Sequence, residues 1–545
     1  MRAGAGTWDA HVLGVVDDFL QTVVVVDDRA FADRELLAGP SSEEQREDGG
    51  RGRAVSSDLQ APAVPDQHDL DPKAVTDAFA EEGLVCALLS PRPGEKVEDR
   101  VLRTARRADL VVLDWVMDRD EGKLALELVA GILSTDEEPT RRRLRTIAVY
   151  TGQSDLHSIA QRLRAAIDEA YHDCELVEHE SGLAIVKGPV RAAVFAKEHV
   201  AGLPPDLEDR RVAFADLPVR LRREFASLTR GLVTTVALAA LAALREDTHR
   251  ILDRLNPGLD VAFLGHRAAL PVPDDAKAHA VSLVVAEIRS VVEDNEVGDH
   301  VAANVLALWL ADEDRSDLPF GELVDTEKTL TINDVQAMLT HGLGTEEGCE
   351  AVAASNQHGK NHFSKKIKPR ASQVFARSLA EAESSDDEFA NRMVLRTIYS
   401  QPSRTLQLGT IVVAGEDYKI CVQPTCDSVR LSRVRSFPFL RLTVSAEARA
   451  NFVVGGEAAG AWVRLMLGSN PHDITMIEFD PGQDTVIRAV ESGDGKYVFK
   501  DVGGIDYLWV GILKVEFSQK VAVDLAQQFA QVAVDEAEIF RLSRR

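Results

Sequence analysis

The stretch Ala108–Gly122, ADLVVLDWVMDRDEG, limits what this chain can fold into more than any other. Its Leu110–Leu113 run is short and wholly apolar, as expected of a strand buried on both faces of a sheet. The run stops at Asp114, which would stand at the strand's C-terminal edge, where open parallel sheets bind their ligands. Three more features follow apolar runs of their own. These are Asp27–Asp28 after Thr22–Val26, Thr151 after Ile147–Tyr150, and Lys187 after Leu183–Val186. Strands ending in this way would bring acids, a hydroxyl and an amine to one rim. Clustered carboxylates repel one another, so such a rim calls for a cation, and Mg²⁺ suits an all-oxygen, partly hydrated site.

The ordered set resembles the receiver domain of two-component response regulators. That family's aspartate, methionine three residues on and glycine eight residues on correspond to Asp114, Met117 and Gly122. Its acid pair corresponds to Asp27 and Asp28, its hydroxyl before a small residue to Thr151–Gly152, and its fifth-strand lysine to Lys187. The resemblance implies an α/β fold with a doubly wound, five-stranded parallel sheet of the flavodoxin-like kind. It further implies Mg²⁺ held by Asp28, Asp114 and the backbone carbonyl of Val116, with Asp27 acting through water. Asp114 would be the phosphoacceptor, Thr151 would hydrogen-bond the phosphoryl group and Lys187 would neutralise its charge. A histidine kinase or phosphotransfer protein would supply the phosphoryl group, and a downstream protein would receive the signal. Departures from the pattern are Asp118 where proline is frequent, Ala184 where an aromatic switch residue is usual, and Gly188 between Lys187 and Pro189.

Composition adds outer limits. A chain of 545 residues exceeds one core and predicts several domains. A formal net charge of −26 repels phosphate backbones and argues against nucleic-acid binding. The densest basic run, Lys360–Arg370, reads as an exposed face paired with the protein's own carboxylates. Five cysteines, odd in number and without a CxxC pair, fit reduced thiols in a cytoplasm. No signal peptide is evident, and the apolar run Leu232–Leu244 is too short to span a bilayer, so a soluble protein without a membrane partner is expected.

The expected organisation has three parts. Residues 1–200 form the receiver-like domain, opened by a helix with Trp8, Val12, Val15 and Phe19 on one stripe and interrupted by a loop insertion at 40–72 rich in Gly, Pro, Ser and Asp. Residues 201–400 read as mostly α-helical. Residues 401–545 read as a small β-rich α+β domain, with strands at Gly409–Val413, Tyr418–Val422, Phe439–Val444, Trp462–Leu467 and Thr485–Ala489 and a closing helix. The expected role is a phosphoacceptor in signalling rather than a metabolic enzyme. The architecture also resembles large receiver proteins encoded in bacterial stress or phage-defence clusters. Two alternatives stand beside it: a receiver-fold scaffold that works without phosphorylation, and an enzymatic or nucleic-acid-processing activity in 401–545 built on Cys426–Asp427. Cys349, His358, His362 and Cys426 match no standard zinc spacing.

Overall fold

The computed structural model describes the chain except for residues 1–5, 29, 31–69, 92–96, 118–119, 135–142, 171–173, 313–317, 319, 325–329, 355–357, 400–403, 446–449, 457, 459, 469–472, 494 and 531–545. The expected insertion at 40–72 therefore lies almost entirely outside the described residues, as does Asp118. The chain divides into two units, Met1–Ser316 and Asp317–Arg545, a break that falls within the expected helical region and not at either of its ends.

Unit 1 alternates helices and strands. In order they are α1 (Trp8–Phe19), β1 (Thr22–Val26), α2 (Pro72–Glu81), β2 (Val85–Leu89), α3 (Val97–Ala105), β3 (Leu110–Asp114), α4 (Lys123–Ser134), β4 (Arg145–Thr151) and α5 (Leu156–Ala170). Strands β5 (Leu176–His179), β6 (Ala184–Lys187), β7 (Val190–Lys197) and β8 (Arg211–Val212) follow. Helices α6 (Leu217–Leu228), α7 (Leu232–Glu246), α8 (Thr248–Arg254), α9 (Asp260–Ala269), α10 (Ala276–Asp294) and α11 (Ala303–Leu310) complete the unit. Local chemistry sets the starts: the Asp71 carboxylate caps α2 by accepting the Lys73 and Ala74 N–H groups, and Pro72 occupies the first helical turn.

The sheet runs β2-β1-β3-β4-β7-β6-β5, with β8 also paired to β7. Its β2-β1-β3-β4-β7 part is parallel. Because side chains alternate across each strand, the apolar runs feed two cores. Val24, Val26, Val111, Leu113, Ile147 and Val149 pack towards α3, α4 and α5. Val23, Val25, Leu110, Val112, Ala148 and Phe195 pack on the other side, where α1, α2, α6 and α7 supply Val12, Phe79, Leu221 and Leu238 among others. Helices after residue 200 thus cover one face of the receiver sheet. Trp8, Val12, Val15 and Phe19 are all buried there, as their spacing predicts.

One strand assignment needs correction. The run ending in Lys187 was expected to be the fifth parallel strand, but it is β6, antiparallel to β7. Gly188, at φ +57°, and Pro189 reverse the chain between Lys187 and Val190, and those two residues pair directly. The place beside β4 goes to β7, whose eight residues are all buried.

Unit 2 is built on a nine-stranded sheet with the order β12-β13-β11-β10-β9-β17-β16-β15, β14 pairing with β11. Helices α12 (Ile332–His341), α13 (Glu346–Ala354) and α14 (Leu379–Val394) precede it, and α15 (Val515–Ala530) follows it. The strands are β9 (Thr410–Ala414), β10 (Asp417–Cys421), β11 (Arg435–Val444), β12 (Phe452–Gly455), β13 (Trp462–Leu467), β14 (Ile474–Phe479), β15 (Val490–Glu491), β16 (Tyr497–Lys500) and β17 (Asp506–Ile512). Within Thr485–Ala489 only a single bridge forms, from Arg488 to Thr405. The Arg464 guanidinium clamps the sheet to α14 by donating to both Asp387 oxygens, at 2.6 and 2.9 Å.

Among the described residues, no helix is long and apolar enough to cross a membrane.

Candidate functional site

Parallel pairing fixes which residues meet at the rim. Val26 is level with Leu113, Asp114 with Tyr150, and Thr151 with Ala196. The residues that close β1, β3, β4 and β7 therefore share the C-terminal edge of the sheet. Asp27, Asp28 and Asp114 offer carboxylate oxygens that all lie within 4.8 Å of one another. Among the described residues this is the one group of three or more acidic, histidine or cysteine side chains close enough to share an ion, so Cys349, His358, His362 and Cys426 do not form a second.

The cation facing the trio is Lys197, the last residue of β7. Its Nζ stands 3.1 Å from Asp114 Oδ1 and 3.3 Å from Asp27 Oδ2, and its side chain is 4% exposed. Burial disfavours the Lys197 ammonium, but the charges of Asp114 and Asp27 outweigh it and raise its pKa. At Asp114, burial pushes the carboxyl up to about 7; Lys197 opposes that rise, while Asp27 and Asp28 add to it. Three carboxylates against one ammonium leave an excess of negative charge in a buried place. A hard divalent cation with oxygen ligands fits that donor set, and the residues able to hold it are Asp27, Asp28 and Asp114.

Lys187 sits elsewhere. It ends β6 at Val190, the first residue of β7, whereas Lys197 ends β7. Eight residues of strand span roughly 25 Å, so the two lysines mark opposite edges of the sheet. Lys187 is buried against α5, where its Nζ donates to the Asp168 carbonyl at 3.0 Å and pairs with the Asp168 carboxylate. The signal for Lys197 was present in the sequence, since VRAAVFAK is itself an apolar run closed by a lysine. Arg191 disguised it, because a charge inside a strand suggests exposure. Here that charge is buried and answered by Glu224 of α6, at 2.6 Å.

The remaining expected residues surround the trio in different roles. Thr151 is fully buried, and its hydroxyl accepts the Gln153 N–H at 3.1 Å. Val116 follows Asp114 by two residues and packs against the core under the rim. Met117 and Trp115 are buried in that core. Gly122 adopts φ +89°, and a Cβ there would lie 2.2 Å from the Trp115 ring, so the position needs glycine on both conformational and steric grounds. The Asp120 carboxylate accepts the Gly122 N–H at 3.1 Å, and Arg162 lies 4.9 Å over the Trp115 ring while donating to the Glu121 carbonyl at 2.7 Å. Met117 and Gly122 thus serve to pack the loop that follows Asp114. The position three before Lys197 is Val194, and two before it Phe195 is buried beneath the guanidiniums of Arg210 and Arg220 at 5.5 and 5.1 Å.

Cys426 lies exposed in the turn Thr425–Asp427. Burial pushes the Cys421 thiol up to about 12, which keeps it protonated and unreactive. In the basic run, Lys360 pairs with Glu346 and Glu350, and Lys368 donates to the Gly344 carbonyl at 2.9 Å.

A largely parallel sheet with an acid trio and a lysine at its C-terminal edge is the arrangement that the resemblance to receiver domains implies. Residues 19–202 match the family described as a response receiver domain, so the chain carries a receiver domain within a larger multidomain protein. That places it in response-regulator-like signal transduction, in which receiver domains interact with a kinase or phosphotransfer partner. No curated protein and no solved structure matches the chain.

Proposed function

We propose that Asp114 accepts a phosphoryl group in a Mg²⁺-dependent reaction and that unit 1 relays the resulting change to a protein partner. The observation that carries this reading is the contact of Lys197 with both Asp27 and Asp114 beside the carboxylate trio. Asp27, Asp28, Asp114 and the Val116 carbonyl are the candidates for holding the ion. When bound, it would offset the carboxylate charge and that of the transferring oxygens.

This chain's own residues supply the rest. An Asp114 oxygen attacks phosphorus, the bond from phosphorus to the donor breaks, and the donor leaves with that electron pair. The aspartyl phosphate retains the transferred oxygens. Lys197 is the buried cation that faces them, taking the role expected of Lys187. Thr151 is the hydroxyl on the neighbouring strand that would donate to a phosphoryl oxygen, since in its present contact it only accepts from the Gln153 N–H. The relay has a short route, since α6 and α7 pack directly on the sheet that carries these groups.

A phosphate-affinity gel after treatment with acetyl phosphate and Mg²⁺ tests the proposal. Wild type and Lys187→Met are expected to shift, whereas Asp114→Asn and treatment with EDTA should abolish the shift. A wild-type chain that never shifts would sink the proposal in favour of a phosphorylation-independent scaffold.

A further inference from the structure

Helices α8, α9 and α10 reverse the arrangement of apolar residues found elsewhere in unit 1. Ten large apolar side chains between residues 252 and 288 are exposed, among them Leu252 at 65%, Val261 at 81%, Leu264 at 62%, Val281 at 63%, Val285 at 55% and Ile288 at 36%. Helices α1, α5 and α6 bury such residues on one face, but α9 has no buried residue and α10 has only Ala276. On α10, Val281, Val284, Val285 and Ile288 recur at three- and four-residue spacing, the geometry of a helix seam that meets another helix. Side-chain contacts tie the three helices to one another. His266 Nε2 lies 2.7 Å from His279 Nδ1 between α9 and α10, and Arg254 lies 3.5 Å from Glu287 between α8 and α10.

We propose that this surface is where a second copy of the chain docks, making the protein a homodimer through α8–α10. Size supports it: without Phe263 and Leu283, which helical spacing turns away from the rows Val261/Leu264 and Val281/Ile288, the other eight side chains present on the order of 700 Å², near the roughly 800 Å² each partner gives to a standard interface. A monomer rarely leaves that much apolar surface in water. Charge selects the occupant. The segment's charged groups answer one another, as in Arg267–Asp274 at 2.9 Å, Lys277–Asp274 at 3.0 Å and Arg289–Glu293 at 2.7 Å. That pairing leaves little to recruit a charged partner, and a self-complementary apolar contact needs none. A lipid surface fits poorly, because residues 248–294 hold seven acidic against five basic side chains, while anionic membranes attract the reverse.

Sedimentation equilibrium of the full chain at micromolar concentration, without a phosphoryl donor, is expected to give twice the chain mass. High salt should preserve or strengthen the dimer, since it screens the −26 charge on each copy and favours apolar burial. The double variant Val281→Glu/Val285→Glu, and separately Leu264→Glu, should give single-chain mass with unchanged circular dichroism, because these side chains already face solvent. A wild-type chain that is monomeric across this range would overturn the proposal. So would a dimer that persists in both well-folded variants, or one that dissociates as salt rises.

Discussion

Asp114→Asn should stabilise unit 1 in metal-free buffer, and by an amount that depends on pH in a set way. The Asp114 carboxyl is raised from an ordinary 3.8 to about 7, first by burial, so the folded protein holds that proton more tightly than the unfolded chain does. With the folded pKa above the unfolded one, this group's favourable contribution is complete below about pH 4, declines as pH rises and is gone above about 7. Each pH unit in that interval is worth about 1.4 kcal/mol. The stability lost from this group is therefore on the order of 2 kcal/mol by pH 5, where the unfolded chain has ionised but the folded carboxyl still holds its proton, and about 4 kcal/mol by pH 8. Asparagine cannot ionise and avoids that cost, while its amide oxygen still accepts from Lys197. Urea unfolding of the full chain in EDTA at several pH values should show the variant's advantage growing from pH 5 and levelling off above 7. Millimolar Mg²⁺ should narrow the gap at pH 8 by stabilising wild type alone. An advantage that does not change with pH, or a variant less stable than wild type at pH 8, would refute the reasoning.

The other predictions probe neighbouring contacts. Lys197→Met strands Asp27 and Asp114 without their buried cation and should cost about 3–5 kcal/mol at pH 8, less at pH 5 where Asp114 regains its proton; Lys187→Met, whose partner Asp168 is 61% exposed, should cost clearly less in the same urea titrations. Gly122→Ala drives a methyl group into the Trp115 ring at a positive φ, so it should destabilise by roughly 2–4 kcal/mol and alter the intrinsic tryptophan fluorescence. A thiol reagent should label Cys426 at once, but Cys421 and Cys349 only on unfolding, since both are buried.

The acid side of the candidate site was legible because each of its residues closes a local pattern. Val23–Val26 and Leu110–Leu113 are runs that water disfavours, and the first acid after each must stand at a strand end. The N-terminal helix was equally legible, since Trp8, Val12, Val15 and Phe19 share one face. The extent of unit 1 was not. Helices α6 and α7 look like the start of a separate helical region, and only their packing against Phe195 and its neighbours makes them part of the receiver core.

By itself the sequence determined that three acids and a hydroxyl end buried strands, because hydrophobic runs and their terminators are properties of adjacent residues. Tertiary structure alone decided which lysine joins them. Two apolar runs ten residues apart both finish in lysine, and both form strands. What separates Lys187 from Lys197 is that β7, not β6, pairs with β4, a contact between residues more than forty positions apart that no local pattern specifies.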